Sequence, residues 1–422
     1  MVLAFILGLW MWDHYFGDSA GYAPGTEEMA LVKIDRDLRL ADAMEKDPAW
    51  LCRMAGARTP DVARREALAA LGKLAEDRSL SVNGLAAYAV IQAVDLKKPV
   101  IPAVAEITQG LEPPDFSAME KRRIGKKARW WEIRVLESRA GSQDPGWFKV
   151  EEEISQRLRS RALVARSAVW LLAVAGFAFL PSTVRRMDLG LKVKVQGFGS
   201  GWTPAMGLTL FLLATLAWIG FGMVLDLGMK NAGDLPGWLV FLFDTTARLL
   251  PSLIVLALIF RRPSHAGRVL GIRRNVDWGI IFGLFSLITL LDQPLRLLID
   301  PGPPEPGGGL NFAERGWSGL ALTVFSACLI APLAEELLYR GVLFRSFANR
   351  IGVGAGALVS SVIFALLHFY NAYGLVSVGI FGFAAAVMYA STRSLTTVIL
   401  FHVLYNLAIK LPEWVVYQWP LG

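Results

Sequence analysis

The chain has little of what soluble enzymes and disulfide scaffolds use. It has two cysteines and four histidines among 422 residues. Cys52 lies in polar sequence and Cys328 in an apolar run, and no CxxC or similar spacing occurs, so neither a thiolate metal site nor a disulfide is expected. The HExxH helix signature of zinc peptidases is missing. Charged residues make up only 19% of the chain. The net charge of +7 is scattered, without the clustered basic and aromatic pattern of a nucleic-acid groove, so no nucleic-acid partner is expected. The apolar stretch MVLAFILGLWMW at 1–12 lacks a basic leader region and an A-x-A site, which argues against a cleaved signal peptide. It is also shorter than a span of about 20 residues. Residues 1–16 are a candidate short signal anchor, and a truncated or mis-set start is the equal alternative.

Apolar sequence is abundant. The chain is 54% hydrophobic with 14 tryptophans, and its mean hydropathy is +0.44. That is the profile of a polytopic, all-α membrane protein. Residues 25–160 differ in kind, being charged, Ala/Leu-rich and broken by proline, with Val62, Ala67, Leu68, Leu71 and Leu74 at helical spacing. This stretch reads as a small α-helical soluble domain without assigned chemistry. Trp130 and Trp131, beside Lys126, Lys127 and Arg129, suit core packing better than a membrane surface.

Long apolar runs begin near 162. Spans are expected at about 167–184, 201–225, 236–260, 277–299, 317–334, 352–369, 372–391 and 394–411, which makes eight transmembrane helices. Residues 162–274 form an accessory set and 275–411 a core, with a Pro/Gly linker at 300–309. Basic residues after the first span (Arg185, Arg186, Lys192, Lys194), the third (Arg261, Arg262, Arg268, Arg273, Arg274), the fifth (Arg340, Arg345, Arg350) and the seventh (Arg393) place those loops in the cytoplasm. The linker and the 25–160 domain then fall outside. Arg157, Arg159, Arg161 and Arg166 pull against that placement, although long domains translocate largely regardless of charge.

Polar residues are rare in the last ~90 residues, and they recur at one spacing. Ionisable groups within a bilayer cost roughly 2.5–3.5 kcal/mol each on insertion scales, so they point to function. Glu336 and Arg340, Phe364 and His368, and His402 and Asn406 are each four residues apart, which puts each pair on one helix face. Glu335 and Glu336 project about 100° apart and need not share a role. Arg340 holds Glu336 ionised, which frees Glu335 to face a cavity as general base toward water. Pro332 should bend the helix beside it. The histidines can accept a proton, orient water or donate to an oxyanion, and Asn406 can donate or orient a neighbour. Glu335, His368 and His402 could also hold zinc, though no acidic neighbour along the sequence supports either histidine. A metal-free glutamate mechanism stands beside that reading. Asp244 with Arg248 and Asp292 with Arg296 form similar pairs away from the motifs and read as packing or interface contacts. The glycines at 352, 354, 356, 374, 379 and 382 suit close helix packing.

These motifs resemble the CPBP family, which comprises the CAAX prenyl endopeptidases and the bacteriocin-processing or Abi-type intramembrane proteases. The family pattern EExxxR, FxxxH and HxxxN/B appears in order as Glu335-Glu336…Arg340, Phe364…His368 and His402…Asn406, within about 275–411. The resemblance implies a helical membrane peptidase whose cavity opens toward the cytoplasm. Glu335 would activate water with His368 assisting, His402 and Asn406 would bind the oxyanion, and Glu336 and Arg340 would support the site. Both metallo- and glutamate-type mechanisms are described for that family. The expected setting is a bacterial cytoplasmic membrane, and the expected partners are the lipid bilayer and a membrane-associated peptide or protein substrate. A non-enzymatic transporter, immunity or scaffold protein that retains the fold is the alternative. Nothing in the sequence sets an oligomeric state.

Overall fold

The computed structural model describes residues 26–77, 79–104, 124, 127–140, 146–193, 202–232, 236–260, 263–272, 275–299, 316–368 and 370–419. The candidate anchor at 1–16 and the 300–309 linker lie outside the described residues. All regular structure among the described residues is helical. Two compact units separate, one holding the described residues up to Ala168 together with those from Leu411 onward, the other Val169 to Lys410.

The first unit contains helices α1 (Thr26–Ala43), α2 (Ala49–Ala55), α3 (Pro60–Asp77), α4 (Val82–Asp95), α5 (Val100–Ala103) and α6 (Trp130–Ala140), plus the start of α7 (Gly146–Gly176). Apolar residues spaced three and four apart, such as Leu31, Ile34 and Leu38 on α1, close a core with Leu71, Val90, Ile91, Trp130 and Trp131. Both tryptophans are buried, as packing side chains. Arg39 is fully buried, and each edge of its guanidinium has a partner. Nε lies 2.9 Å from Asp35 Oδ1, Nη2 donates to the Ala128 carbonyl at 2.8 Å, and Nη1 pairs with Glu151. Asp35 Oδ1 also accepts the Trp130 backbone N–H at 2.7 Å.

The second unit is the apolar one. After a 3₁₀ turn at Phe177–Phe179 follow α8 (Leu180–Leu191), α9 (Pro204–Ala232), α10 (Gly237–Ile259), α11 (Pro263–Leu270) and α12 (Trp278–Leu298). A continuous helical stretch then runs from Gly316 to Ile351 as α13 (Gly316–Phe325), a π-turn (Ser326–Ile330), α14 (Ala331–Leu338), a second π-turn (Tyr339–Phe344) and α15 (Arg345–Ile351). The remaining helices are α16 (Val353–Leu366), α17 (Ala372–Thr392) and α18 (Leu395–Tyr417). Seven stretches among the described residues are long and apolar enough to cross a membrane.

Three spans differ from the sequence expectation. The first apolar run does not begin a helix of its own, since one helix runs from Gly146 to Gly176. The fifth does not stop near 334 but continues to Ile351, because Glu336, Arg340 and Arg345 are buried against partners rather than released to water. The sixth is only 14 residues long, about 21 Å at 1.5 Å per residue, short of the ~30 Å hydrocarbon layer. Glycines let it pack closely. A Cβ at Gly356 would meet the Ala348 backbone at 2.7 Å, and one at Gly382 would meet Ser361 and Phe364 at 3.1 and 3.2 Å.

Candidate active site

The two glutamates sit on α14 between the two π-turns. Pro332 lacks an N–H and cannot accept the normal position against the Cys328 carbonyl, four residues back. The preceding turn widens instead, and the Ala331 N–H donates to the Ser326 carbonyl, five residues away. The proline therefore acts through a wide turn within an unbroken helix.

Glu336 is fully buried and connects two elements. Its Oε1 lies 3.0 Å from Arg340 Nη1 and accepts from His402 Nδ1 at 2.8 Å. A buried ion pair is stable only where its remaining donors are satisfied. Arg340 Nη2 donates to the Gly382 carbonyl at 3.1 Å, and its guanidinium, whose Nε has no hydrogen-bond partner among the described residues, stands 4.7 Å from the Phe364 ring centroid. Phe364, buried at 1% exposure, is thus the floor under the cation. Its ring also meets His368 edge-on at 4.5 Å and Tyr339 at 4.8 Å.

The bond to Glu336 fixes the His402 ring. With Nδ1–H donating to that carboxylate, Nε2 points at Glu335, 3.8 Å from Oε2. The histidine is 4% exposed and flanked by the Phe381 ring at 4.7 Å. Glu335 keeps a quarter of its side chain accessible, 25% against 0% for its neighbour. Adjacent residues on one helix are thereby divided between an enclosed carboxylate and an open one.

His368 lies in the turn that ends α16. Its Nδ1–H donates to the Phe364 carbonyl at 2.6 Å, which leaves Nε2 as the acceptor nitrogen. On α18, one Nδ2–H of Asn406 donates to the Ala327 carbonyl at 2.9 Å. That carbonyl belongs to the first π-turn, where the widened helix leaves it within reach of a side chain.

Of the expected site residues, Glu335, Glu336, Arg340, Phe364 and His402 form one continuous group. His368 joins it through the Phe364 ring, and Asn406 reaches the glutamate helix through Ala327. The two four-residue pairs that meet face to face are Glu336 with Arg340 and Phe364 with His368. His402 and Asn406 turn to separate neighbours. The zinc set of Glu335, His368 and His402 is not assembled: among the described residues no three His, Cys, Asp or Glu side chains are grouped to hold a metal ion.

The acidic support for His402 that was missing along the sequence comes across the fold, from Glu336. Four participants had no sequence signal of their own. Phe381 walls His402, Gly382 supplies a carbonyl to Arg340, Ala327 anchors Asn406, and Ser326 Oγ donates to Asp244 Oδ2 at 2.6 Å. Gly382 stood only among the packing glycines, and Asp244 only in a separate ion pair.

Residues 317–408 match the family described as Type II CAAX prenyl endopeptidase Rce1-like. The chain is also 28% identical over 170 residues to an uncharacterized 24.3 kDa protein of Escherichia coli, covering 38% of this chain and 76% of that protein. No solved structure matches it. The segment that carries all three motifs, residues 317–408, is thus similar to the Rce1-like type II CAAX prenyl endopeptidases, and it lies within a multi-pass membrane protein.

Proposed function

We propose that this protein is an intramembrane endopeptidase that hydrolyses a peptide bond of a membrane-associated substrate through a glutamate-activated water. The observation that carries the reading is the pairing of unlike neighbours. Glu336 is enclosed by Arg340 and His402, while Glu335 stays partly open and faces His402 Nε2. A carboxylate with an accessible oxygen can take a proton from water; one locked between an arginine and a histidine N–H orients its partners instead.

The steps follow from that division. Water binds between Glu335 and the acceptor Nε2 of His368. Glu335 removes its proton as the water oxygen attacks the carbonyl carbon. Negative charge develops on the carbonyl oxygen, where a proton on His402 Nε2 and the second Nδ2–H of Asn406 stabilise it. When the C–N bond breaks, the proton held by Glu335 passes to the departing amine. Glu336 and Arg340 hold His402 in register and touch no reacting atom. Since the three potential ligands are not grouped, no step runs through a metal.

The half-open site within an apolar bundle fits a substrate that arrives along the membrane. The family description names prenylated CAAX ends as one such class. The test is cleavage of a membrane-tethered reporter by purified protein, with Glu335→Gln as the decisive variant. Its kcat should fall about 10²- to 10⁴-fold, the usual contribution of a general base. Wild-type cleavage by that variant would overturn the hydrolase reading. Comparing a reporter that ends in a prenylated cysteine with the same peptide on a transmembrane helix identifies the anchor. We place the segment carrying His265 in the cytoplasm, and labelling of a cysteine at 265 from outside intact cells would reverse that orientation.

A further inference from the structure

Helix α10 lies outside the family match, yet it carries a buried carboxylate aimed at the glutamate helix. Asp244 is 8% exposed. Its Oδ1 lies 2.9 Å from Arg248 Nε on its own helix, and its Oδ2 accepts from Ser326 Oγ at 2.6 Å. Ser326 opens the first π-turn, and the next residue, Ala327, supplies the carbonyl that anchors Asn406. About two turns further along α10, Ser252 Oγ reaches the Ala334 carbonyl at 3.4 Å, immediately before Glu335.

A π-turn holds one residue more than an α-turn, and one residue is worth about 100° of helix rotation. The turn at Ser326–Ile330 therefore sets the face on which α14 presents its two glutamates. Unwinding it to an α-turn would swing Glu335 away from His402 and move the Ala327 carbonyl away from Asn406. Wide turns are rare and persist where other contacts hold them. The short hydrogen bond from Ser326 to a carboxylate is such a contact, and it is charge-assisted.

We propose that Asp244 is a positioning residue: through Ser326 it latches the π-turn and thereby decides that Glu335, rather than Glu336, faces the open side of the site. The effect on cleavage rests on the protease reading above; the state of the turn does not. Cys328 lies inside the same turn at 2% exposure and serves as a reporter.

The experiment uses the full chain with Cys52→Ser, reconstituted in liposomes, and follows Cys328 modification by N-ethylmaleimide alongside kcat and KM for reporter cleavage. Asp244→Ala and Ser326→Ala should each speed modification about tenfold and lower kcat about tenfold, the worth of one charge-assisted hydrogen bond, with KM within about twofold. The double variant should equal either single one. Asp244→Asn, which keeps an acceptor oxygen for Ser326, should recover at least half of the logarithmic loss. Unchanged Cys328 modification in Ser326→Ala, or losses that multiply in the double variant, would overturn the latch. If Asp244→Ala does not accumulate, Ser326→Ala and Asp244→Asn decide by the same criteria. If even the parent chain cleaves no reporter, the protease reading fails while the modification rates still judge the latch.

Discussion

Each unit buries an arginine against carboxylates, two for Arg39 and one for Arg340, and the two sites differ in what is left open. Around Arg39 in the first unit, Asp35, Glu151 and the Ala128 carbonyl take up the guanidinium, and both acids are themselves nearly enclosed. Around Arg340 in the second, Glu336, the Gly382 carbonyl and the Phe364 face do the same, but the network runs on through His402 to Glu335, which is partly exposed. A closed polar network holds helices in place. A network with one open carboxylate at its end can also move a proton. Similar ingredients thus form a closed network in one unit and a network with an open end in the other, and the deciding quantity is accessibility at the last member.

Substitutions can break this contrast. The largest effect should be Glu335→Gln, which lowers kcat about 10²- to 10⁴-fold and leaves the melting temperature unchanged, because an exposed carboxylate end is lost and little packing. Arg39→Ala is its mirror image. It strands Asp35 and Glu151 and should cost roughly 3–5 kcal/mol, read as lowered resistance of the first unit to denaturant or protease. Glu336→Gln should show both phenotypes. It leaves Arg340 uncompensated, at about 3 kcal/mol, and it releases His402, so stability and kcat should fall together. If Glu336→Gln lowers only kcat, the enclosed glutamate is not the structural member we take it to be.

Smaller changes sharpen the comparison. Gly382→Ala would press a methyl group to 3.1 Å from Ser361 and 3.2 Å from Phe364. It should destabilise by about 1–3 kcal/mol and reduce kcat, since the Gly382 carbonyl and Phe364 both hold Arg340. At the far end, Lys192→Ala removes an ion pair to Asp188 in which the two side chains are 68% and 54% exposed. That change should stay within about 0.5 kcal/mol and leave cleavage untouched.

Much of the site is visible in the sequence because lipid makes polar residues conspicuous. Glu335, Glu336, Arg340, His368, His402 and Asn406 stand out against apolar surroundings, and their four-residue spacing identifies helix faces. Spacing along one helix is local, however, and most partnerships here are not. His402 sits 66 positions from Glu336, and Asn406 sits 79 from Ala327. Asp244 and Arg248 announce an ion pair to each other, but the bond to Ser326 spans 82 positions and leaves no periodic trace. The helix ends were misjudged for a related reason. Arg340 and Arg345 read as residues for a cytoplasmic loop until the fold shows them buried with Glu336, the Val269 carbonyl and Tyr389.

The sequence by itself determined that this is an all-helical membrane protein, because composition and apolar run length answer directly to the thickness of the hydrocarbon layer. It also determined which residues are available for chemistry, since few others in those runs can ionise. The spacing of Glu336 and Arg340 also separated the two neighbouring glutamates, but only the tertiary structure decided what surrounds them: His402 arrives from α18 to bond Glu336, and Glu335 keeps a quarter of its side chain accessible. Rotation about a helix axis and approach between distant helices are properties of packing, and no local pattern of residues encodes them.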